Sequence, residues 1–390
     1  MNILSIETSA DETAVSIVNT DGDFPHATYE ILGNALHSQI ELHAQYGGIF
    51  PTMAKREHAK AIVPLLSLAL EEAQMLKKGD ESLSQADTEK LYELLTREPE
   101  LAETFISFVE AHDLPEIDLI AMTSGPGLEP ALWVGVNFAK ALGVVFGAPV
   151  IPVNHMEGHI LASIYDVVED DQLAHVTFPT IALLISGGHT ELILMRDWGK
   201  YEKIGQTKDD AVGEAFDKVA RMMGMPYPGG PEIGRRAQKA REQKLPPFKE
   251  DLPRPMLHSK DLDFSFSGLK TSVLYAIGGK ELTENEVNAL SRDFEDAVTE
   301  VLLKKTSNAL TTHSAQTLIV GGGVSANTHI RQTFMTQLLS SHPDVEVYFP
   351  QPKLSTDNSI MIALAGHARK EHARSAGAVS LIKADGNRSL

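Results

Sequence analysis

The sequence predicts an α/β protein built from two related domains. Near the N-terminus, apolar strands flank a small polar turn, and the same layout returns past the midpoint. There Pro179 to Ile185 runs into Ser186-Gly187-Gly188-His189-Thr190, and Glu191 to Met195 comes back as a hairpin partner. Elsewhere, strands enter glycine-bearing turns that open helices, as at Ser124-Gly125-Pro126-Gly127 and Gly321-Gly322-Gly323. A chain of 390 residues is also long for one domain and ample for two buried cores.

Taken in order, residues 2 to 7 form a strand, and Thr8-Ser9-Ala10-Asp11-Glu12-Thr13 forms a hydroxyl-rich, acidic turn. Strands follow around Ala14 to Val18 and Tyr29 to Leu36. The glycine-containing loop from His43 to Pro51 precedes a helix over Met53 to Leu76, with Ile62, Leu65, Leu66 and Leu70 on its apolar face. From Lys77 to His112 the composition turns acidic, with spaced apolar residues. This reads as two short amphipathic helices inserted at the surface, broken near Pro99 and solvated. Ile117 to Met122 is a strand, Ala131 to Phe146 a helix and Val150 to Val153 another strand. The strand–glycine–helix sequence at Ser124 to Gly127 can present backbone N–H groups to an anion.

In the second half, a third strand is expected at Tyr201 to Gly205 and a helix over Asp209 to Ala220. The prolines and glycines of Met225 to Pro231 require a loop, and residues 244 to 267 an ordered irregular segment. A long helix spans Glu284 to Thr312, and Thr317 to Val320 is a strand whose glycine run opens a helix from Thr328 to Leu339. A last strand lies near Val345 to Phe349. Asp357 and Asn358 then precede the apolar helix Ile360 to Ala365 at an N-cap position, and the tail after Ala373 is expected to be loosely ordered.

Composition narrows the chemistry. Hydrophobic content of 43% and charged content of 22% are ordinary for a globular protein, no apolar run is long enough to span a bilayer, and the N-terminus lacks a signal peptide's basic start. A cytoplasmic location is expected. The chain has no cysteine, so a metal would be held by His and carboxylate oxygen. A net charge of −19 argues against a broad nucleic-acid surface, leaving room for a local basic patch or a basic partner.

The pattern that invites metal chemistry is His155-Met156-Glu157-Gly158-His159. On a helix, two imidazoles at i and i+4 project from one face and can hold two corners of a coordination sphere. The same spacing arises by chance, and the remaining corners must come from elsewhere. The three glycine turns suit a site that holds a nucleotide by backbone donors, yet none matches a P-loop or a dinucleotide fingerprint.

Eight ordered blocks resemble the signatures of one family, the tRNA N6-adenosine threonylcarbamoyltransferases (TsaD in bacteria). They are Ile6 to Thr13, His155 to His159, Ser186 to Thr190, Gly213 to Lys218, Tyr227 to Pro231, Phe264 to Thr271, Gly322 to Asn327 and Thr356-Asp357-Asn358. The resemblance implies an actin-like/Hsp70-like/sugar-kinase (ASKHA) fold: two similar α/β domains with an inter-domain active-site cleft. It places the first at residues 1–153, carrying the insertion at about 77–112 and joined by the C-terminal helix of about 360–390, and the second at 154–359. It implies transfer of a threonylcarbamoyl group from threonylcarbamoyl-AMP to N6 of the adenosine 3′ of the anticodon in ANN-decoding tRNAs, releasing AMP. His155, His159 and Asp357 match the family's ligands for one divalent metal ion per subunit, Fe2+ or Zn2+. Leu184, Ile185, Ser186, Gly187, Gly188, Asp217, Gly230 and Asn327 match its substrate contacts. Asp11, oriented by Glu12, is the candidate general base. The implied partners are tRNA, a TsaB-like paralogue and a TsaE-like ATPase, with no membrane.

Ala10, Asn154 and Ser355 depart from residues common in the family, and none removes an implied ligand. Three other readings compete: a metalloprotease, a small-molecule kinase or carbamoyltransferase with the same nucleotide site, and a silent scaffold. The first requires Glu directly after the first histidine, where Met156 stands.

Overall fold

In a computed structural model, which describes residues 1–80, 82–166 and 171–390, the chain forms two compact units. The first comprises Met1–Leu42, Ile49–Ala174 and Asp357–Leu390; the second comprises His43–Gly48 and His175–Thr356. The first thus takes in residues 154–174, beyond the boundary expected at 153.

In the first unit, β1 (Asn2–Glu7), β2 (Glu12–Asp21) and β3 (Thr28–Ser38) form an antiparallel meander, with Leu4 opposite Ile17 and Glu7 opposite Ala14. After helix α1 (Pro51–Glu72) come the inserted helices α2 (Gln85–Leu94) and α3 (Pro99–Glu110). Strand β4 (Leu119–Gly125) lies parallel to β1, helix α4 (Glu129–Phe146) follows, and β5 (Val150–Asn154) lies parallel to β4. The order is β5-β4-β1-β2-β3, extended past β3 by the two-residue strands Gln172–Leu173 and Tyr165–Asp166. Helix α5 (His155–Ile164) leaves the end of β5.

The second unit repeats the order. Strands β6 (Thr180–Ile185), β7 (Thr190–Asp197) and β8 (Lys200–Gln206) form the meander. Helices α6 (Val212–Met222), α7 (Gly229–Glu242), α8 (Ser267–Ile277) and α9 (Glu284–His313) precede β9 (Thr317–Gly321) and β10 (Glu346–Tyr348), both parallel additions. The order β8-β7-β6-β9-β10 matches the first unit strand for strand. This duplicated sheet is the expected ASKHA architecture. The expected helix over 328–339 is divided: a 3-10 turn at Gly323–Ala326 precedes Thr328–Thr333, and a π-helical stretch, Phe334–Leu338, follows.

Period-two apolar residues of β1 and β2 meet α1 and α4 in the first core: Leu4, Ile6, Val15 and Ile17 against Ile62, Leu66, Val134 and Phe138. The acidic insertion belongs to this core. Leu91, Leu95, Leu101 and Phe105 are buried, and the Phe105 ring meets Phe138 edge-on at 5.0 Å. The two helices break just before Pro99, as expected, and Pro99 itself opens α3 in its first turn, where its missing N–H costs no hydrogen bond. The expected solvated helices therefore have solvent on one face only.

The tail also departs from expectation. After α10 (Ser359–Ala368), which lies against α5 and the first sheet, Val379 and Ile382 are buried in the first core. Asp385 N–H donates to Ser124 O at 2.8 Å, and Gly127 N–H to Gly386 O at 3.2 Å. Arg388 donates to Ser124 Oγ and, at 3.4 Å, to Pro152 O. The glycine turn read as an anion cradle is thus filled by the chain's own C-terminus. Glycine is required there: Gly125 has φ +148°, and a Cβ would lie 1.9 Å from Asp385 O. Gly125→Ala should expel the tail and lower stability by roughly 2 kcal/mol or more. Urea unfolding with limited proteolysis checks this; an unchanged midpoint and a still-protected C-terminus would contradict tail docking.

A buried imidazole in the same unit sets an acid limit. His367 on α10 is 1% exposed, its Nδ1 lies 3.0 Å from the Tyr29 hydroxyl, and its buried Nε2 has no hydrogen-bond partner among the described residues. Burial lowers its pKa from 6.5 to about 4. The unfolded chain binds this proton below pH 6.5 and the folded chain only near 4, so stability present above 6.5 is lost as pH falls through that window. The loss is about 3 kcal/mol at most. Urea midpoints at pH 7.5 and 5 should separate for the native chain, and by less for His367→Gln.

Candidate metal centre and glycine turns

The metal candidates come together within the first unit. Strand β5 ends at Asn154, whose Oδ1 accepts the Met156 N–H at 2.9 Å and caps α5. The asparagine that departs from the family pattern is therefore the residue that starts the helix. Every residue of α5 is buried, and Gly158 permits close packing, since a Cβ there would meet Met361 Cγ of α10 at 3.0 Å. His155 and His159 sit one turn apart, with ring centroids 4.7 Å apart and ring planes at 85°.

Asp357 precedes α10, and its sequence ambiguity is resolved by its neighbour. Asn358 is the cap, accepting the Met361 N–H at 3.0 Å, which leaves the Asp357 carboxylate to face the imidazoles. Asp357 Oδ1 lies 3.4 Å from His155 Nε2 and 3.2 Å from His159 Nε2.

These residues fit a divalent cation. Their candidate ligand atoms all lie within 4.8 Å of one another. His159 Nε2 is buried and, although close to Asp357, completes no hydrogen bond among the described residues. His155 Nδ1 lies 3.0 Å from Glu7 Oε2 at the end of β1, so Nδ1 donates there and Nε2 is the nitrogen turned toward Asp357. Glu7 is fully buried and fixed in turn by Ser9 N–H and Thr123 Oγ1, each at 2.5 Å. Two nitrogens and one oxygen, with no thiolate, form a set that suits Fe2+ or Zn2+ and leaves positions for substrate.

The electrostatics point the same way. Burial opposes a charged His155, yet Asp357 and Glu7 outweigh it and raise its pKa well above the usual histidine value. Burial would raise Asp357, but His155 and His159 pull it far down. The cluster is an anionic pocket that demands positive charge, which a bound cation would supply in place of an imidazolium proton.

Asp11 and Glu12 lie in the first hairpin turn, 7% and 8% exposed. The turn is fixed by Gln39 N–H to Asp11 O at 2.9 Å and by His58, whose Nε2 lies 3.1 Å from Ala10 O and Nδ1 2.8 Å from Thr13 Oγ1. Burial, then the charges of Asp357 and Asp11, push the Glu12 carboxyl up to about 10. Glu12 is therefore protonated at neutral pH and hydrogen-bonded to Asp11. Glu157, between the two histidines, accepts both Nε and Nη2 of Arg369 on its Oε1, at 3.0 and 2.9 Å, so it is not placed as a hydrolytic base.

The remaining candidates all belong to the second unit. Leu184 and Ile185 end β6, and Ser186, Gly187 and Gly188 form the turn to β7. Among the described residues nothing lies within 4 Å of a Cβ built on Gly187, Gly188 or Gly323, so these turns have open space on that side. Beneath them packing is tight: a Cβ on Gly322 (φ +90°) would lie 2.5 Å from Ile185 O. Asp217 Oδ1 accepts the Gly229 N–H at 2.7 Å, which fixes the start of α7 and Gly230. Asn327 caps the next helix through Ile330 N–H at 2.9 Å and donates to Glu295 Oε1 at 2.7 Å, while Arg241 holds the other Glu295 oxygen at 2.6 Å.

Two contributors, Glu7 and Glu295, escaped the sequence reading. For Glu7 there was a signal, a carboxylate ending an apolar strand, where burial demands a partner. Glu295 sits mid-helix among polar residues and gave none. Replacing Glu7 by Gln should weaken Zn2+ binding about 10- to 100-fold by calorimetry, with the ligands intact; unchanged affinity would remove Glu7 from the centre.

Known proteins resemble this chain over nearly its whole length. The sequence model of the family TsaD, tRNA N6-adenosine threonylcarbamoyltransferase, matches residues 30–80 and 107–364. The break falls inside the acidic insertion. The tRNA N6-adenosine threonylcarbamoyltransferase of Aromatoleum aromaticum is 39% identical over 369 residues, covering 95% of this chain and 91% of the relative. That of Nitrosomonas europaea is 38% identical, with 95% and 93% covered, and that of Methylobacillus flagellatus 39% identical, with 96% and 94% covered. The chain belongs to the tRNA N6-adenosine threonylcarbamoyltransferase family.

Proposed function

We propose that the donor in this transfer is threonylcarbamoyl-AMP, that His155, His159 and Asp357 hold one Fe2+ or Zn2+ ion per subunit, and that Asp11 is the general base. Family membership gives the outer reaction: the threonylcarbamoyl group is placed on N6 of an adenosine in tRNA. In the proposed course, N6 attacks the carbamoyl carbon, the bond from that carbon to the phosphate oxygen breaks, and AMP leaves with the electron pair. When bound, the metal would supply Lewis acidity toward the carbamoyl group. An exocyclic adenine amine is weakly nucleophilic, so Asp11, kept in place by protonated Glu12, takes the N6 proton.

The observation that carries this reading is the grouping of Asp357 with His155 and His159, close enough to the buried Asp11–Glu12 turn for its charge to act there. It joins an acceptor for a proton to a centre for an electrophile. The open glycines at 187, 188 and 323, with Asp217, Gly230 and Asn327, are assigned to the adenylate. A protease reading loses its base, because Glu157 is bound by Arg369.

No helix among the described residues is long and apolar enough to cross a membrane. Work in the cytoplasm beside a TsaB-like paralogue and a TsaE-like ATPase is part of the proposal; a net charge of −19 supports a partner's help in placing tRNA.

The test supplies unmodified tRNA, threonine, bicarbonate, ATP, the adenylate-forming enzyme and the partner proteins, and follows N6-threonylcarbamoyladenosine by mass spectrometry. Product is expected with the native chain, and none with His159→Ala. Asp11→Asn should slow single-turnover transfer about 10²- to 10⁴-fold with Zn2+ binding preserved. An unchanged rate would strip Asp11 of its role, and absence of product beside an active control enzyme would sink the whole reading.

A further inference from the structure

A second charged site lies where the acidic insertion packs on α4. Trp133 and Lys140 are two turns apart on α4, and Arg97 stands between α2 and α3. The Arg97 guanidinium carbon is 4.7 Å, and the Lys140 ammonium 5.5 Å, from the centroid of the Trp133 ring. Lys140 is only 6% exposed. Arg97 is exposed, but a buried lysine is ordinarily paired, and among the described residues neither cation has a side-chain hydrogen bond or an ion pair.

The carboxylates that could serve are engaged elsewhere. Glu98, next to Arg97, is buried against Lys55 at 2.9 Å, and Glu129 Oε1 accepts the Trp133 indole N–H at 3.4 Å. In a chain with 53 carboxylates, two adjacent cations without one are not explained by composition. Burial, then the charge of Arg97, lowers the Lys140 pKa, as expected of cations that repel each other. Cation–π attraction offsets part of this cost and leaves the side-chain N–H groups of both cations without a protein acceptor among the described residues.

We propose that Arg97, Lys140 and Trp133 form a binding site for a phosphate dianion, either inorganic phosphate or a phosphomonoester. Two positive charges match a dianion, the planar guanidinium can donate two parallel hydrogen bonds to adjacent oxygens, and the ammonium supplies a point charge. The indole walls the site and fixes both cations. Arg97 lies in residues 81–106, which the family match skips, whereas Trp133 and Lys140 fall inside it. The completed site is therefore a property of chains with this insertion.

Trp133 also makes the site measurable. The only other tryptophan is Trp198, so the full chain carrying Trp198→Phe reports Trp133 fluorescence alone. Inorganic phosphate titrated at constant ionic strength should change that emission saturably, and acetate at least tenfold less effectively. Arg97→Gln, at an exposed position, and Lys140→Met, which keeps the alkyl stem, should each raise the phosphate midpoint at least tenfold with unchanged circular dichroism. Glycerol phosphate in place of phosphate separates the sources: a tighter midpoint marks an ester ligand, an equal or weaker one the free ion. No saturable response to either, or an unchanged midpoint in Arg97→Gln, overturns the site.

Discussion

The bond from Glu7 to His155 orders the first unit's chemistry. A carboxylate with no exposure at the end of β1 would be a severe cost alone, and it is tolerated because Ser9, Thr123 and His155 all give it hydrogen. That one contact ties the central strand of the sheet to the first residue of α5. It decides which imidazole nitrogen keeps a proton, and therefore which one is turned toward Asp357. Without it, His155 would have two equivalent tautomers and the cluster no preferred direction.

Duplication of the sheet explains how one fold supplies two kinds of chemistry. The hairpin from β1 to β2 carries Asp11 and Glu12, while its counterpart from β6 to β7 carries Gly187 and Gly188. The turn after β4 is filled by the C-terminal tail, whereas the turn after β9 leaves Gly323 open. Equivalent positions have thus diverged. The first unit concentrates carboxylate and imidazole groups suited to a cation and a proton, and the second exposes neutral backbone suited to an anion.

Much of this was legible in the sequence because strand alternation and glycine turns are local signals. The two meanders, the long α9 and the histidine pair needed no tertiary knowledge. The choice between Asp357 and Asn358 as helix cap did, since both have the right side chain and only packing against α5 shows which one is spent on the helix. The tail was misread because small polar residues look solvated until a partner surface exists. That surface is the left-handed turn at Gly125, nearly 260 positions earlier. The insertion was misread for the converse reason: its acids are visible, but its apolar face meets Phe138, which no local window contains.

The buried carboxylates also link the candidate metal centre to the first hairpin turn. Burial holds Glu12 protonated, and the charges of Asp357 and Asp11 add to it, so a cation held at Asp357 would lessen part of that repulsion and lower the Glu12 pKa from about 10. This coupling runs through groups of the first unit alone, and it gives the acidic first hairpin a reason to be both buried and doubly charged in sequence.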